Sequence, residues 1–181
     1  IADIDGDGFK DVVLADTNIS STTIMINKGS FTFGSKANYN TGSLPYSVFT
    51  GDLNNDGKID VVSANQSGNS VSVLINDGSG VMRSKVDYTT GSNPENLSLG
   101  DFNCDGKIDI VTTNYGANTM SILLNKGNGT FNTKVDYVTG AGPEGISAGD
   151  INGDNKPDIV VANAFFADSI SVFINNGDGT F

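Results

Sequence analysis

The sequence predicts an all-β fold: a β-propeller of four-stranded antiparallel blades, with one repeat for about every 49 residues. Three observations predict it. A short acidic segment recurs four times, opening at Asp3, Asp52, Asp101 and Asp150, each 49 residues after the last. Stretches between these segments alternate apolar and polar residues with period two, and none sustains the 3.6-residue period of a helix. Apolar positions also recur in register: Ile24, Val73, Ile122 and Val172 form one set, and Ile26, Ile75, Leu124 and Ile174 another.

The passage from the third to the fourth repeat shows each element in order. Phe131–Tyr137 alternates and reads as an outer strand, and Thr139–Pro143 is a turn. Ile146–Gly149 is a short strand entering the acidic segment, and Ile159–Asn163 leaves it as a continuous buried strand. A hairpin tip leads to Ser169–Asn175, which alternates strictly, and a Gly-rich turn follows. One four-stranded sheet cannot bury both faces by itself. Radial stacking of such sheets can, which favours a propeller. A β-solenoid is the rival, but its short Gly-Gly-x-Gly-x-Asp repeat is absent. The period divides a single repeat domain at approximately 1–33, 34–82, 83–131 and 132–181. The first and last repeats are expected to be incomplete, as in part of a larger ring or array, or a partial ring completed by another chain. An N-terminus at Ile1 without Met fits a processed or truncated chain.

Each acidic segment places oxygen-bearing side chains at positions 1, 3, 5 and 9. They are Asp3, Asp5, Asp7 and Asp11, then Asp52, Asn54, Asp56 and Asp60. The third set is Asp101, Asn103, Asp105 and Asp109, and the fourth Asp150, Asn152, Asp154 and Asp158. The main-chain carbonyl at position 7, from Phe9, Lys58, Lys107 or Lys156, is the expected fifth donor. An all-oxygen set on a flexible loop suits Ca²⁺, which takes six to eight oxygens, better than the rigid octahedron of Mg²⁺. Up to four Ca²⁺ are expected, one per loop. Position 6 must turn sharply and calls for a left-handed backbone. Gly8, Gly57 and Gly106 stand there, and Asn155 in the fourth loop. The first loop has a fourth carboxylate, Asp5, and is expected to bind most tightly; the fourth, with Asn155 and Pro157, is expected to be weakest. An EF-hand is a poor alternative, since no Glu stands at position 12. The bland alternative is a set of metal-free Asx-turns.

Charge agrees with this. The loops hold 13 of the 21 acidic residues, and four Ca²⁺ would bring the formal charge of −11 to about −3. No basic footprint for nucleic acid is present, and no apolar run is long enough to cross a membrane. The chain has no His, which excludes a Ser-His-Asp triad and a His-ligated zinc site, and no catalytic constellation stands out. The single Cys104 permits no intrachain disulfide and reads as incidental at position 4 of its loop. Calcium dependence favours an extracellular or cell-surface location, where millimolar-scale Ca²⁺ saturates even weak sites.

These residues resemble the FG-GAP/VCBS repeat family, which includes the propeller of integrin α-subunits and many bacterial secreted proteins. The resemblance rests on Gly51-Asp52-x-Asn54-x-Asp56-Gly57-x-x-Asp60-Val-Val and its copies. The turn Asn125–Phe131 and the segment Tyr88-x-Thr-Gly-x-x-Pro94 add to it. Only Phe33-Gly34 approaches the Phe-Gly signature itself. The resemblance implies a propeller, often of seven blades, with calcium in loops on one face. It names no ligand.

The functional expectation is a non-catalytic adhesion module that binds a protein or a glycan. The face opposite the loops carries the hairpin tips, residues 17–20, 66–69, 115–118 and 164–168. The last tip holds Phe165 and Phe166, adjacent aromatics suited to anchoring a partner; one of them could equally pack beneath the tip. Tyr46, Glu95 and Glu144 are further candidates. Two alternatives are a structural subunit that self-assembles and a non-catalytic part of a larger secreted enzyme. Asn18, Asn65, Asn96 and Asn128 stand in glycosylation-type sequons.

Overall fold

A computed structural model describes residues 1–164 and 169–181. Among these residues there is no helix, and so none long and apolar enough to cross a membrane. Fourteen strands form four antiparallel sheets. Sheet 1 contains β1 (Val12–Asp16), β2 (Ser21–Met25) and β3 (Ala37–Asn40). Sheet 2 contains β4 (Pro45–Gly51), β5 (Asp60–Asn65), β6 (Ser70–Leu74) and β7 (Val86–Thr89). Sheet 3 repeats it with β8 (Pro94–Gly100), β9 (Asp109–Asn114), β10 (Thr119–Leu123) and β11 (Val135–Val138). Sheet 4 contains β12 (Pro143–Gly149), β13 (Asp158–Asn163) and β14 (Ser169–Phe173).

The two middle sheets have the four strands expected, and the two outer ones have three. Before β1, only an isolated bridge between Ala2 and Asp11 stands where a first strand runs elsewhere. The strand that opens each sequence period belongs, by hydrogen bonding, to the sheet before it: β3 pairs with β2, β7 with β6 and β11 with β10. Sheet boundaries therefore fall at the Gly-x-x-Pro turns, one strand later than the divisions at 34, 83 and 132. A bulge interrupts the first strand of sheets 2, 3 and 4 just after its Pro, where the ring lacks a donor for the ladder.

Alternation along the central strands explains the packing. Successive side chains point to opposite faces, so Val61 and Leu74 face sheet 1 while Val62 and Val73 face sheet 3. In the next sheet, Ile110 and Leu123 face back to sheet 2, and Val111 and Ile122 face on to sheet 4. The core is thus three apolar layers, one in each seam between neighbouring sheets. The first strands also touch in series, β4 with β8 and β8 with β12, while β4 meets β1, a second strand, on its other side. Aromatic edges close the outer part of two seams: Tyr88 meets Phe131 at 5.3 Å, and Tyr137 meets Phe181 at 5.7 Å.

Candidate metal centres

Loops 2, 3 and 4 each join the first two strands of their sheet, and the last aspartate opens the second strand; in loop 1, Asp11 bridges Ala2 and immediately precedes β1. Asp11, Asp60, Asp109 and Asp158 are fully buried. Each bridges two backbone donors. In sheet 2, Asp60 accepts from Leu53 N at 2.9 Å and from Asn76 N at 2.8 Å. Asp109 does the same with Phe102 N (2.9 Å) and Asn125 N (2.7 Å). Asp11 and Asp158 repeat the pattern. Position 9 therefore pins the loop entrance to the turn after the third strand, a role the ligand pattern alone does not reveal.

The other positions wrap the loop around its own backbone. The position-1 carboxylate accepts two or more N–H groups: Asp52 takes Asp56 N at 3.2 Å and Gly57 N at 2.8 Å. Asp101 and Asp150 match it, and Asp3 takes Gly6 N and Gly8 N. Position 5 accepts from the N–H at position 7 in all four loops. Gly8, Gly57, Gly106 and Asn155 all have positive φ, as the sequence predicts. So do Gly6, Asn55, Cys104 and Gly153 at position 4, with Cys104 at φ 57°. The signal was present, since three of the four copies carry Gly or Asn there. Cys104 occupies a left-handed position and is exposed.

In the first loop, carboxylate oxygens of Asp3, Asp5 and Asp11 lie within 4.8 Å of one another. Asp7 is outside that group; it bonds Phe9 N at 2.8 Å. Burial pushes the Asp5 carboxyl above its ordinary range, opposed by its bond from Asp7 N and reinforced by the charges of Asp7, Asp11 and Asp3. Asp60 and Asp109 are pushed up to about 6, chiefly by burial, against their two backbone bonds and helped by the neighbouring loop carboxylates. In loops 2 and 3 the position-3 amide donates to the position-5 carboxylate, Asn54 to Asp56 at 3.1 Å and Asn103 to Asp105 at 3.2 Å. A cluster of oxygen donors with carboxyls raised by burial, and further by their neighbours' charge, fits a hard divalent cation.

Position 7 has a second role. The Lys58 stem lies where a side chain on Gly78 would stand, and its Nζ donates to Asp77 O at 2.7 Å. Lys107 covers Gly127, Lys156 covers Gly177, and the Phe9 ring covers Gly29. The turns after the third strands also reach the preceding sheet. A Cβ on Gly80 would lie 3.3 Å from Asp5, and one on Gly129 would lie 2.6 Å from Ile75 and 3.5 Å from Asn54. Gly179 approaches Leu124 and Asn103 in the same way. Loops 1, 2 and 3 are therefore each roofed by the next repeat's turn.

At the opposite end the tips and the Pro-turns are bonded together, as expected from the topology: Gln66 N to Leu44 O, Tyr115 N to Asn93 O, and Gly142 N to the Asn118 side chain. Buried Asn65, Asn114 and Asn163 pack against Gly42, Gly91 and Gly140, where a Cβ would come within 2.7 Å or less. Asn65 spends its amide on Ser70 and Ser72, so its sequon is closed to modification in the folded chain. Asn18 and Asn128 are exposed. Tyr46 is exposed, whereas Glu95 is buried and accepts from Gln66 Nε2 at 2.9 Å. Phe165 and Phe166 lie outside the described residues.

A sequence model of the FG-GAP-like repeat matches three times, at residues 3–63, 52–112 and 101–161. No curated protein matches the chain. Among solved structures, an Agrocybe aegerita lectin that recognises non-reducing terminal N-acetylglucosamine is similar, with a TM-score of 0.69 and 23% identity. That likeness covers 99% of this chain and 49% of the lectin. BBS1N, solved in complex with ARL6DN, gives a TM-score of 0.65 at 15% identity, covering 97% of this chain and 55% of that one. The Photorhabdus luminescens Tc holotoxin pore gives 0.54 at 16%, covering 97% of this chain and 9% of that one. The chain thus spans about half the length of the first two and shares their fold. Three overlapping matches, each running from one acidic loop through the next, show that the chain belongs to the FG-GAP-like repeat family.

Proposed function

We propose that this chain is a calcium-stabilised β-propeller module that works outside the cell as a non-catalytic binding or adhesion surface for a protein or a glycan. The observation that carries the proposal is the fourfold loop, above all the convergence of Asp3, Asp5 and Asp11. In each loop the side chains at positions 1, 3, 5 and 9 and the position-7 carbonyl would hold Ca²⁺, with position 9 also fixing the loop to the sheet. The ion would offset the burial and the neighbouring charges that raise Asp5, and would tie the first strand to the second. The serial contact of first strands, β4 with β8 and β8 with β12, supports a radial arrangement around a common axis. Recognition falls to the face of the hairpin tips, because the loop face is occupied with its own backbone bonds and roofing turns. A shared fold with a terminal-N-acetylglucosamine lectin and with a protein that was solved bound to another supports both ligand classes.

Two measurements test this. Calorimetric titration of the chelator-treated chain should show Ca²⁺ binding that Asp3→Ala and Asp5→Ala each weaken; no heat and no change in melting would sink the calcium proposal. A glycan array and a pull-down with the Ca²⁺-loaded chain test recognition. Loss of binding in Phe165→Ser/Phe166→Ser, with melting unchanged, would assign it to the tip face, and retained binding would move it elsewhere.

A further inference from the structure

The outer rim carries a groove at each of the first two seams. In the first seam it lies between β3 and the segment that leads into β7, where Asn38, Tyr39, Asn40, Met82, Arg83 and Lys85 line it. In the second seam Asp87, Tyr88, Thr89, Phe131, Asn132 and Lys134 line it, each 49 residues further along. The topology thus builds the same concavity twice, and the side chains make the two copies different. Phe131 meets the Tyr88 ring edge-on at 5.3 Å, whereas the slimmer Met82 stands beside Tyr39. The first groove accordingly encloses about 350 Å³ and the second about 230 Å³. Only the first reaches the range of small-molecule sites, roughly 300–1,000 Å³.

Charge separates them as well. Asn38 stands where the second groove has Asp87, and Arg83 where it has Asn132, so both changes make the first groove more positive. Lys85 is engaged with Asp87, which also accepts from Ser72 Oγ at 2.6 Å. Arg83 is the chain's only arginine; it is exposed and forms no ion pair among the described residues. Asn38 Oδ1 accepts from Thr23 Oγ1 at 2.9 Å, which leaves its Nδ2 without a partner among those residues. The Asn40 side chain and the Ser84 hydroxyl, also in the lining, are unbonded in the same sense. Beneath them the buried Leu74 and Met82 are apolar, and the Tyr39 hydroxyl is engaged with Gly80 O at 3.4 Å. An apolar floor, free amides and a hydroxyl, and one unpaired guanidinium suit a small ligand with an apolar face, several hydroxyls and a negative charge.

We propose that the rim groove of the first seam binds an acidic sugar, a pyranose that carries a carboxylate or a sulfate. Arg83 takes the anion, to which a planar guanidinium can present two parallel N–H donors. The amides of Asn38 and Asn40 and the Ser84 hydroxyl serve the sugar hydroxyls, and the C–H face of the ring lies on Met82 and Tyr39. The second groove is narrower and lacks the arginine, so it does not take the same ligand. This site is on the rim rather than at the hairpin tips. It rests on the glycan half of the function proposed above, and none of its residues is a loop ligand for calcium.

Nuclear magnetic resonance titration of the isotope-labelled chain tests it, at low salt and fixed calcium. The probes are glucuronate and sulfated galactose, with glucose and galactose as their neutral parents. At least one acidic sugar should shift the amides of residues 38–40 and 83–85 saturably, and its neutral parent should bind at least about tenfold more weakly; which probe responds names the anion. Arg83→Asn, which copies the second groove at an exposed position, should weaken the acidic sugar by at least about tenfold, as for a lost charged hydrogen bond, and leave melting unchanged. Met82→Phe, which copies the second groove's floor, should weaken the acidic sugar with Arg83 still in place. No saturable shift, shifts confined to other residues, inorganic sulfate binding as tightly as the sugars, or an Arg83→Asn chain that binds like wild type would each overturn the proposal. If the rim site fails while Phe165→Ser/Phe166→Ser abolishes binding on a glycan array, the tip-face reading stands. An array silent to every glycan removes both.

Discussion

The second and fourth repeats use nearly the same residues, yet one is enclosed and the other open. Loop 2 lies beneath the Gly129 turn, with Asp52 and Asn54 half-buried, whereas Asp150 and Asn152 of loop 4 are exposed. The difference does not come from the bonds that hold the position-1 carboxylate, since the N–H groups at positions 5 and 6 donate to it in both loops. It comes from the next sheet. A repeat of this kind completes its neighbour's loop and covers its neighbour's apolar face, so stability belongs to the seams rather than to single repeats.

The largest test of that comparison is the metal. A site saturated at about a hundred times its dissociation constant adds roughly 2.7 kcal/mol of stability, and several such sites should raise the melting temperature by about 10 °C or more. Calorimetric scanning in Ca²⁺ and in EGTA measures it. Removing one loop should separate the repeats: Asp52→Ala should lower the Ca²⁺-loaded melting temperature more than Asp150→Ala, because loop 2 transmits its order to the turn above it. Equal effects would mean that the roof contributes nothing.

Next in size is the buried position-9 aspartate in the metal-free chain. Asp60→Ala strands Leu53 N and Asn76 N inside a closed seam. At about 1–3 kcal/mol for each lost buried partner, this should cost several kcal/mol in urea unfolding. Asp158→Ala should cost less, since Ile151, one of its two partners, is exposed. These aspartates also set a pH trend. The folded-state pKa of Asp60 and Asp109 is raised to about 6 from 3.8, so the folded state holds their protons more tightly than the unfolded state. That stability is full below about pH 4 and is lost as pH rises through about 6, worth roughly 3 kcal/mol per group. The metal-free chain should therefore weaken between about pH 4 and 6. Bound Ca²⁺ should remove the trend, and Asp60→Asn should halve it. Asp77 and Asp178, lowered by hydrogen bonds from Ser79 and Thr180, act in the other direction and only in the more acidic range.

Much of this was legible because the repeat displays each position several times. The 49-residue period, the strands Asp109–Asn114 and Thr119–Leu123, and the left-handed position 6 follow from residue type and spacing. The sheet boundary was not legible. The segment before Tyr137 alternates whether it pairs with β10 or with β12, and only hydrogen bonding assigns it to β10. The double bridge made by Asp60 was hidden for a similar reason: an aspartate nine residues into an acidic loop reads as a ligand, and its partner Asn76 lies 16 residues away. The roofing role of Gly80, Gly129 and Gly179 was masked because Gly-x-Gly already has a local explanation as a turn.

Those glycines supply the finest test. Gly57 and Gly129 both have positive φ, so Ala at either bears the left-handed backbone penalty of about 1–2 kcal/mol. A Cβ at Gly57 meets nothing within 4 Å, whereas at Gly129 it falls 2.6 Å from Ile75 of the preceding sheet. Gly129→Ala should therefore destabilise more than Gly57→Ala. The excess should be modest, because the atom struck is the end of a flexible side chain. Ile75→Val in the Gly129→Ala background should recover part of the excess, since it removes the methyl in the way, while the same change beside Gly57→Ala should recover nothing. Chemical unfolding of the four variants measures the coupling, and a zero coupling would separate the turn from the loop it covers.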